Sequence, residues 1–315
     1  MTDAAGYIII IRSSNERTTK ICKDLVEKQA LDGKVVVIRK KPFKLALEEC
    51  FRTAIRQQAT WLITVDADML ILPGTIEKLY KTAEQMPAHY LQLQGRILDK
   101  ITGSIRKAGP RIYRVSLLEK ALNISESSDN NNIRPEAHVV SEMGQSGHPS
   151  RYIPTVTCLH DYEQYYADLY RKSIVHAKKH HEFVADIISR AASKMQKDDD
   201  FKVILKAVWD GLTRNIEVSA DSRLFQKRAE EALAELGLTE KNDIENVDDI
   251  IGKMKEWIRQ IPADNSAEIT FRDQPKPKYS ILRRIKNIIT KKGLIGGLSY
   301  GAGEILVDLG KRLQK

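Results

Sequence analysis

Trp61-Leu62-Ile63-Thr64-Val65-Asp66-Ala67-Asp68 decides how this chain is read. The first five residues are apolar or β-branched, the composition of a strand buried on both faces. Two carboxylates follow at i and i+2, where that strand runs out. Met69-Leu70-Ile71-Leu72-Pro73-Gly74 then leads into a helix. Oxygens in that position stand at the mouth of a sheet. Hard cations such as Mg²⁺ or Mn²⁺ take such oxygens, usually together with a phosphate-bearing substrate. Spacing alone is a poor signal, because at about 5% aspartate a chain of this length holds about one D-x-D by chance. A second one, Asp198-Asp199-Asp200, lies in a charged stretch expected to be a solvated helix end or turn. The strand before Asp66 and Asp68 is what separates the two.

Outward from this stretch, strand and helix alternate. Tyr7 to Ile11 is a fully apolar strand, and Val35 to Ile38 is a second. Ile21, Cys22, Leu25 and Val26 fall at helical spacing between them. A second helix follows Pro42, and Ile76, Leu79, Tyr80 and Ala83 mark a third. Strands separated by helices require right-handed crossovers and form a parallel sheet, with ligands beyond the carboxyl ends of the strands. Both the Arg12–Thr18 connection and the Asp66–Asp68 pair lie at such ends. From residue 89 the pattern changes. Tyr90 to Leu98 alternates like a half-buried strand, Gly103 and Gly109-Pro110 punctuate a hairpin-like region before Arg111 to Val115, and Ser125 to Asn132 reads as a polar loop. A helix is expected from Pro135, then a strand over Tyr152 to Leu159 ending at His160-Asp161. Residues 161–261 read as helical, with a short strand at Glu268 to Phe271.

Hydrophobic content of 42% and charged content of 30% suit a globular protein with a proper core. No apolar run approaches the ~18 residues of a transmembrane helix, and no secretory address is visible. Cys22, Cys50 and Cys158 are expected to be small buried hydrophobes. The net charge of +9 is unevenly spread: residues 276–315 hold ten basic and two acidic groups, which leaves +1 for the rest of the chain. A whole-protein nucleic-acid role is weakened accordingly, and no nucleic-acid partner is expected. In Tyr279 to Thr290 the residues Ile281, Leu282, Ile285, Ile288 and Ile289 share a helical face against Arg283, Arg284 and Lys286. That pattern suits an anionic membrane surface; docking on a partner helix is the alternative.

The first hundred residues with Val65-Asp66-Ala67-Asp68 resemble the GT-A glycosyltransferases, especially the family-2-like bacterial members. The likeness spans about residues 5–180 and rests on order and placement: a βαβαβ half, D-x-D, a mixed half, then a strand-terminal His. It implies an α/β GT-A fold, a Rossmann-like nucleotide half with mixed sheet, over 1–180. A helical region (181–272) and a basic amphipathic tail (273–315) follow. It implies a nucleotide-sugar donor contacted by Arg12, Ser13, Arg17 and Asp66, and Mn²⁺ or Mg²⁺ held by Asp66, Asp68 and His160. The competing reading of His160 is that it caps the following helix or pairs with Asp161.

By the same resemblance Glu136, in Arg134-Pro135-Glu136, is the expected catalytic base of an inverting transfer, with Glu142 second; a first-turn acid favoured by the helix dipole is the alternative. Where many members carry an acidic residue after the second strand, this chain has Arg39-Lys40-Lys41-Pro42, which leaves the donor base open. The expected acceptor is a polysaccharide, lipid-linked or other surface glycan, and the expected place is the cytoplasmic membrane's inner face, with a homo-oligomer possible in principle. A sugar-phosphate nucleotidyltransferase is the alternative enzyme, although Arg12–Thr18 lacks the glycines that class carries. A non-catalytic basic scaffold is the other alternative. His176-x-x-x-His180 has metal-ligand spacing without a third ligand, and Lys178 and Lys179 suggest an exposed basic face.

Overall fold

The computed structural model describes residues 6–30, 33–129, 134–217 and 223–261, all within one compact unit, Met1–Phe271. The basic tail and the short strand expected at 268–271 lie outside the described residues. In chain order the first half contains β1 (Tyr7–Arg12), α1 (Thr19–Glu27), β2 (Lys34–Ile38), α2 (Phe43–Arg56), β3 (Trp61–Asp66), β4 (Met69–Ile71) and α3 (Thr75–Glu84). Then come β5 (Gln92–Asp99), β6 (Ile105–Arg106), β7 (Arg111–Arg114), α4 (Leu118–Ser127), α5 (Pro135–Gln145) and β8 (Ser150–His160). Five helices follow: α6 (Tyr166–Lys179), α7 (Val184–Lys194), α8 (Asp199–Thr213), α9 (Arg223–Glu235) and α10 (Val247–Ile258).

The strands form one mixed sheet in the order β2-β1-β3-β7-β5-β8-β4, with β6 paired to β5. β1, β2 and β3 are parallel, as expected, and β7 joins β3 antiparallel. Helices cover both faces, which is why β1 is apolar at every position from Tyr7 to Ile11 rather than at every second one. Ile9 and Ile11 enter a core with Ile21, Leu25, Ile76 and Leu79. Ile8 and Ile10 enter another with Leu47, Phe51, Leu118 and Val139. A third core, made by Leu169, Ile174, Ile187, Phe201 and Ile204, joins α6 to α7 and α8. α7, α8 and α9 therefore share their apolar face with α6, whereas α10 joins the first core through Ile250 and Met254. All three cysteines are buried and free.

Three differences from the expectation have local causes. Met69–Ile71 forms a strand before the helix begins, and β4 pairs antiparallel with the end of β8 so that Met69 faces His160. Leu118 and Ala121 are buried on α4, which extends into the stretch expected to be loop, and Ser125 Oγ donates to Glu48 Oε1 at 3.1 Å. Gly95 marks an irregularity in the β5–β8 register; a Cβ there would overlap Thr157, and one at Gly109 would crowd the Gly95 backbone. Among the described residues no helix is long and apolar enough to cross a membrane.

Candidate active site

The carboxyl ends of β1, β3 and β8 meet at one edge of the sheet. Arg12 and Asp66 are register partners, and Arg12 Nε donates to Asp66 Oδ1 at 2.7 Å. The turn between the two aspartates is held by backbone and hydroxyl. Ala67 N–H donates to Arg12 O at 2.9 Å, and Thr18 Oγ1 donates to Ala67 O at 2.7 Å. Asp68 therefore points away from Asp66, toward β8.

There it meets a buried cluster of alternating charge. His160 Nε2 lies 3.5 Å from Asp68 Oδ2, and its Nδ1 lies 2.9 Å from Asp99 Oδ2 and 3.2 Å from Asp161 Oδ2. Lys172 Nζ, from α6, donates to Asp68 Oδ2 at 2.6 Å and also to Asp161 Oδ1. Asp161 has left-handed backbone, φ 63°, a sparsely populated region for a residue other than glycine. Its N–H donates to Asp68 O at 3.2 Å. Asp99 is anchored by Arg106 and accepts from Thr102 N at 2.8 Å.

The charges hold one another. Burial opposes ionisation of Asp68, but Lys172 and His160 outweigh it and hold this carboxyl well below the usual range. Burial likewise lowers the His160 imidazole, yet Asp161, Asp68 and Asp99 push it up to about 10. Lys172 is raised by Asp161 and Asp68 against the same burial. His160 as it stands is therefore charged, and ligation through its ring requires that proton to leave.

One ligand atom each from Asp68, His160 and Asp161 can lie within 4.8 Å of the others, the spacing a single cation spans. Asp68 Oδ1 is buried with no hydrogen-bond partner. An orphaned carboxylate oxygen in a nitrogen- and oxygen-donor set fits a hard or borderline divalent ion. Asp66 belongs to the arginine instead.

The cluster opens into a cleft of about 590 Å³. Arg12, Ser13 and Glu16 line it from the β1 end, Lys40, Lys41 and Phe43 from the loop after β2, and Asp168, Arg171 and Lys172 from α6. The Arg12 guanidinium stacks on the Phe43 ring at 4.7 Å. Two cleft carboxyls are raised. Burial raises Glu16, with Asp68 adding to it, and burial raises Asp168 against the pull of Lys172 and Arg171. Glu16 Oε2 already accepts from Ser14 N at 2.7 Å and Ser13 Oγ at 3.0 Å. Among the described residues Asp168 pairs only with Arg171, at 3.9 Å.

Among the expected site residues, Arg12, Ser13, Asp66 and Asp68 line the cleft, and His160 stands behind Asp68. Arg17 does not line it. Arg17 Nε donates to Asn242 O at 2.7 Å and its Nη1 pairs with Glu163 at 2.9 Å, so it fastens the loop after β1 to the turn before α6. Glu136 does not line the cleft either. Its Oε1 accepts from Tyr113 Oη at 2.6 Å and Arg12 Nη1 at 2.9 Å, and Arg111 pairs with its other oxygen. Glu142 is bonded only within its own helix and the turn after it, to Gln145 and Ser146.

Sequence reading overlooked Asp99, Asp168, Arg171 and Lys172. A signal was present: Asp168 and Lys172 are spaced i, i+4 on a helix that starts just after His160-Asp161. The expected exposed basic face at His176 is also corrected. His176 is buried, and burial pushes its imidazole down to about 4.

Residues 6–138 match the sequence model of glycosyl transferase family 2. Over that stretch the chain is similar to the family-2 glycosyltransferases. The match ends at the first turns of α5, before the strand that carries His160. No curated protein matches the chain in sequence.

Solved structures of similar fold include a glycosyltransferase involved in glycosylation of the PBCV-1 major capsid. It is 15% identical, covers 49% of this chain and 93% of its own, and has a TM-score of 0.37. A mannosyltransferase from Pyrobaculum calidifontis in complex with GDP-Man and Mn²⁺ is 13% identical, covers 82% and 81%, and scores 0.38. A 4-diphosphocytidyl-2C-methyl-D-erythritol synthase from Anaerococcus prevotii is 11% identical, covers 51% and 91%, and also scores 0.38.

Proposed function

We propose that this chain is a glycosyltransferase that moves a sugar from a nucleoside-diphosphate donor onto a glycan or lipid-linked acceptor, with inversion and with a divalent cation, Mn²⁺ or Mg²⁺. The observation that carries the reading is the Asp68–His160–Asp161 set, with its orphaned Asp68 Oδ1, at the inner end of a cleft lined by basic side chains. These three residues are the ones that would hold the ion. Bound there, it would supply charge neutralisation for the departing diphosphate.

The remaining work falls to the chain itself. Arg171, Lys40 and Lys41 face the cleft and meet phosphate charge. Ser13 and Arg12 bound the donor side. Asp66 and Glu136 hold the Arg12 guanidinium from two directions, so Glu136 becomes a positioning residue rather than the base. The proton of the acceptor hydroxyl goes to Asp168, a cleft carboxylate whose burial favours the protonated form and whose oxygens are least committed. The tail, 276–315, belongs to this reading as an anionic-membrane contact on charge and pattern alone. Vesicle co-sedimentation that rises with anionic lipid and falls with salt is its test.

The deciding experiment is a panel of nucleotide sugars incubated with and without Mn²⁺, reading nucleoside diphosphate released by slow hydrolysis. One donor should be cleaved only with metal. Release of pyrophosphate from a sugar phosphate and a nucleoside triphosphate would favour nucleotidyl transfer instead. No turnover of any donor would overturn the reading.

A further inference from the structure

The acidic end of the cleft already holds a cation belonging to the chain. Lys172 Nζ bridges Asp68 Oδ2, at 2.6 Å, and Asp161 Oδ1. Those two carboxylates are also two of the three groups close enough to share an ion. A divalent cation on both of them and an ammonium between them cannot coexist at these distances without strong repulsion. Lys172 is not locked in place. Its side chain is 18% exposed and lines the cleft, and a lysine ammonium on four flexible carbons can withdraw into that space without moving α6. Lys100 provides the internal contrast. It pairs with Asp198 and Asp200, is 4% exposed and does not line the cleft.

We propose that Lys172 is a built-in counter-cation that competes with the divalent ion for Asp68 and Asp161. It holds the two carboxylates together when the ion is absent and sets how tightly the ion binds. This rests on the metal reading above and goes beyond it by naming a residue that opposes metal binding. The consequence runs against the usual effect of mutating an active-site lysine, since removing this one improves ligand binding.

The test titrates Mn²⁺ alone, at one fixed pH, into the full chain and its Lys172→Met and Lys172→Arg variants. Binding is read by calorimetry and by loss of the free-Mn²⁺ paramagnetic resonance signal. Lys172→Met should bind Mn²⁺ about tenfold tighter or more, because a unit positive charge within a few ångströms is gone. Lys172→Arg, which keeps the charge, should stay within about threefold of the parent. Lys172→Gln is the second neutral variant if the methionine form does not fold, with circular dichroism as the check.

Unchanged or weaker Mn²⁺ binding by the neutral variant overturns the competition. If the parent still binds Mn²⁺ and Asp68→Asn does not, the metal reading stands without it. Absence of Mn²⁺ binding by parent and neutral variant alike overturns both.

Discussion

Two aspartate pairs with the same spacing, Asp66–Asp68 and Asp198–Asp200, do different physical work in this molecule. Asp198 caps α8, its Oδ1 accepting from Asp200 N at 3.0 Å. Asp200 is 2% exposed and sits between Lys100 and Lys241, one on each oxygen. Asp68 is only partly buried beside a lysine and borders a cleft, and its Oδ1 has neither a hydrogen bond nor an ion pair among the described residues, whereas Asp200 Oδ1 is ion-paired to Lys241. A carboxylate with every oxygen committed to its own chain is structural. One with an oxygen left over beside open space is equipped to bind. The spacing in sequence is blind to that distinction.

The contrast predicts that changes at the cleft damage reaction or binding while changes at the α8 cap damage stability. The largest effect should come from Asp168→Asn, which keeps shape and removes basicity. Transfer should fall by about 10²–10⁴-fold with donor binding intact, measured by steady-state transfer and by calorimetry of the nucleoside diphosphate. A near-normal rate would return the base to another cleft carboxylate, with Glu16 next in line.

Asp200→Asn and Asp68→Asn form the direct comparison. The first leaves Lys100 and Lys241 facing a neutral amide and should cost about 3–5 kcal/mol in urea unfolding, with Mn²⁺ binding unchanged. The second should abolish Mn²⁺ binding at a smaller cost in stability. The comparison breaks if both variants lose metal or both lose only stability.

A smaller effect is expected from pH. His176 is buried on α6, and burial pushes its imidazole down to about 4. The unfolded chain takes up this proton near pH 6.5 and the folded chain only near pH 4, so unfolding becomes favoured as pH falls between these values. Up to about 3 kcal/mol present at pH 7 is lost by pH 4. Urea unfolding of the parent and of His176→Met at pH 7 and pH 5 should show the difference shrinking in the variant. Smallest of all is Asp199→Ala. Asp199 pairs only with Lys202, at 2.7 Å on the surface, and its loss should stay within about 0.5 kcal/mol with Mn²⁺ binding unchanged.

Much of the scaffold was legible. The unbroken apolar runs of β1 and β3 announced a sheet covered on both faces, and Pro135 announced the first turn of α5. The Arg12–Thr18 connection and Asp66–Asp68 were recognisable as strand-end features, because a parallel sheet puts all such ends on one edge. Less legible were the short and the committed. β4 is a three-residue strand, too brief to establish a period, and it exists because β8 offers a partner edge. Glu136 had the right position for a base, but only the fold reveals that Arg12, Arg111 and Tyr113 converge on it. Arg17 had the right loop and the wrong neighbours, Glu163 and Asn242.

By itself the sequence determined the alternation of elements, the buried sheet and the strand-terminal carboxylates, since periodicity and apolar runs are local properties that neighbouring residues express together. Only the tertiary structure decided which charges meet. Asp68, Asp99, His160, Asp161 and Lys172 come from five separate elements and connections, and their roles depend on distances of a few ångströms across the sheet edge. A Coulomb interaction in a buried site changes several-fold over such distances while sequence separation leaves it untouched, which is why the same D-x-D lines a cleft at one place and caps a helix at another.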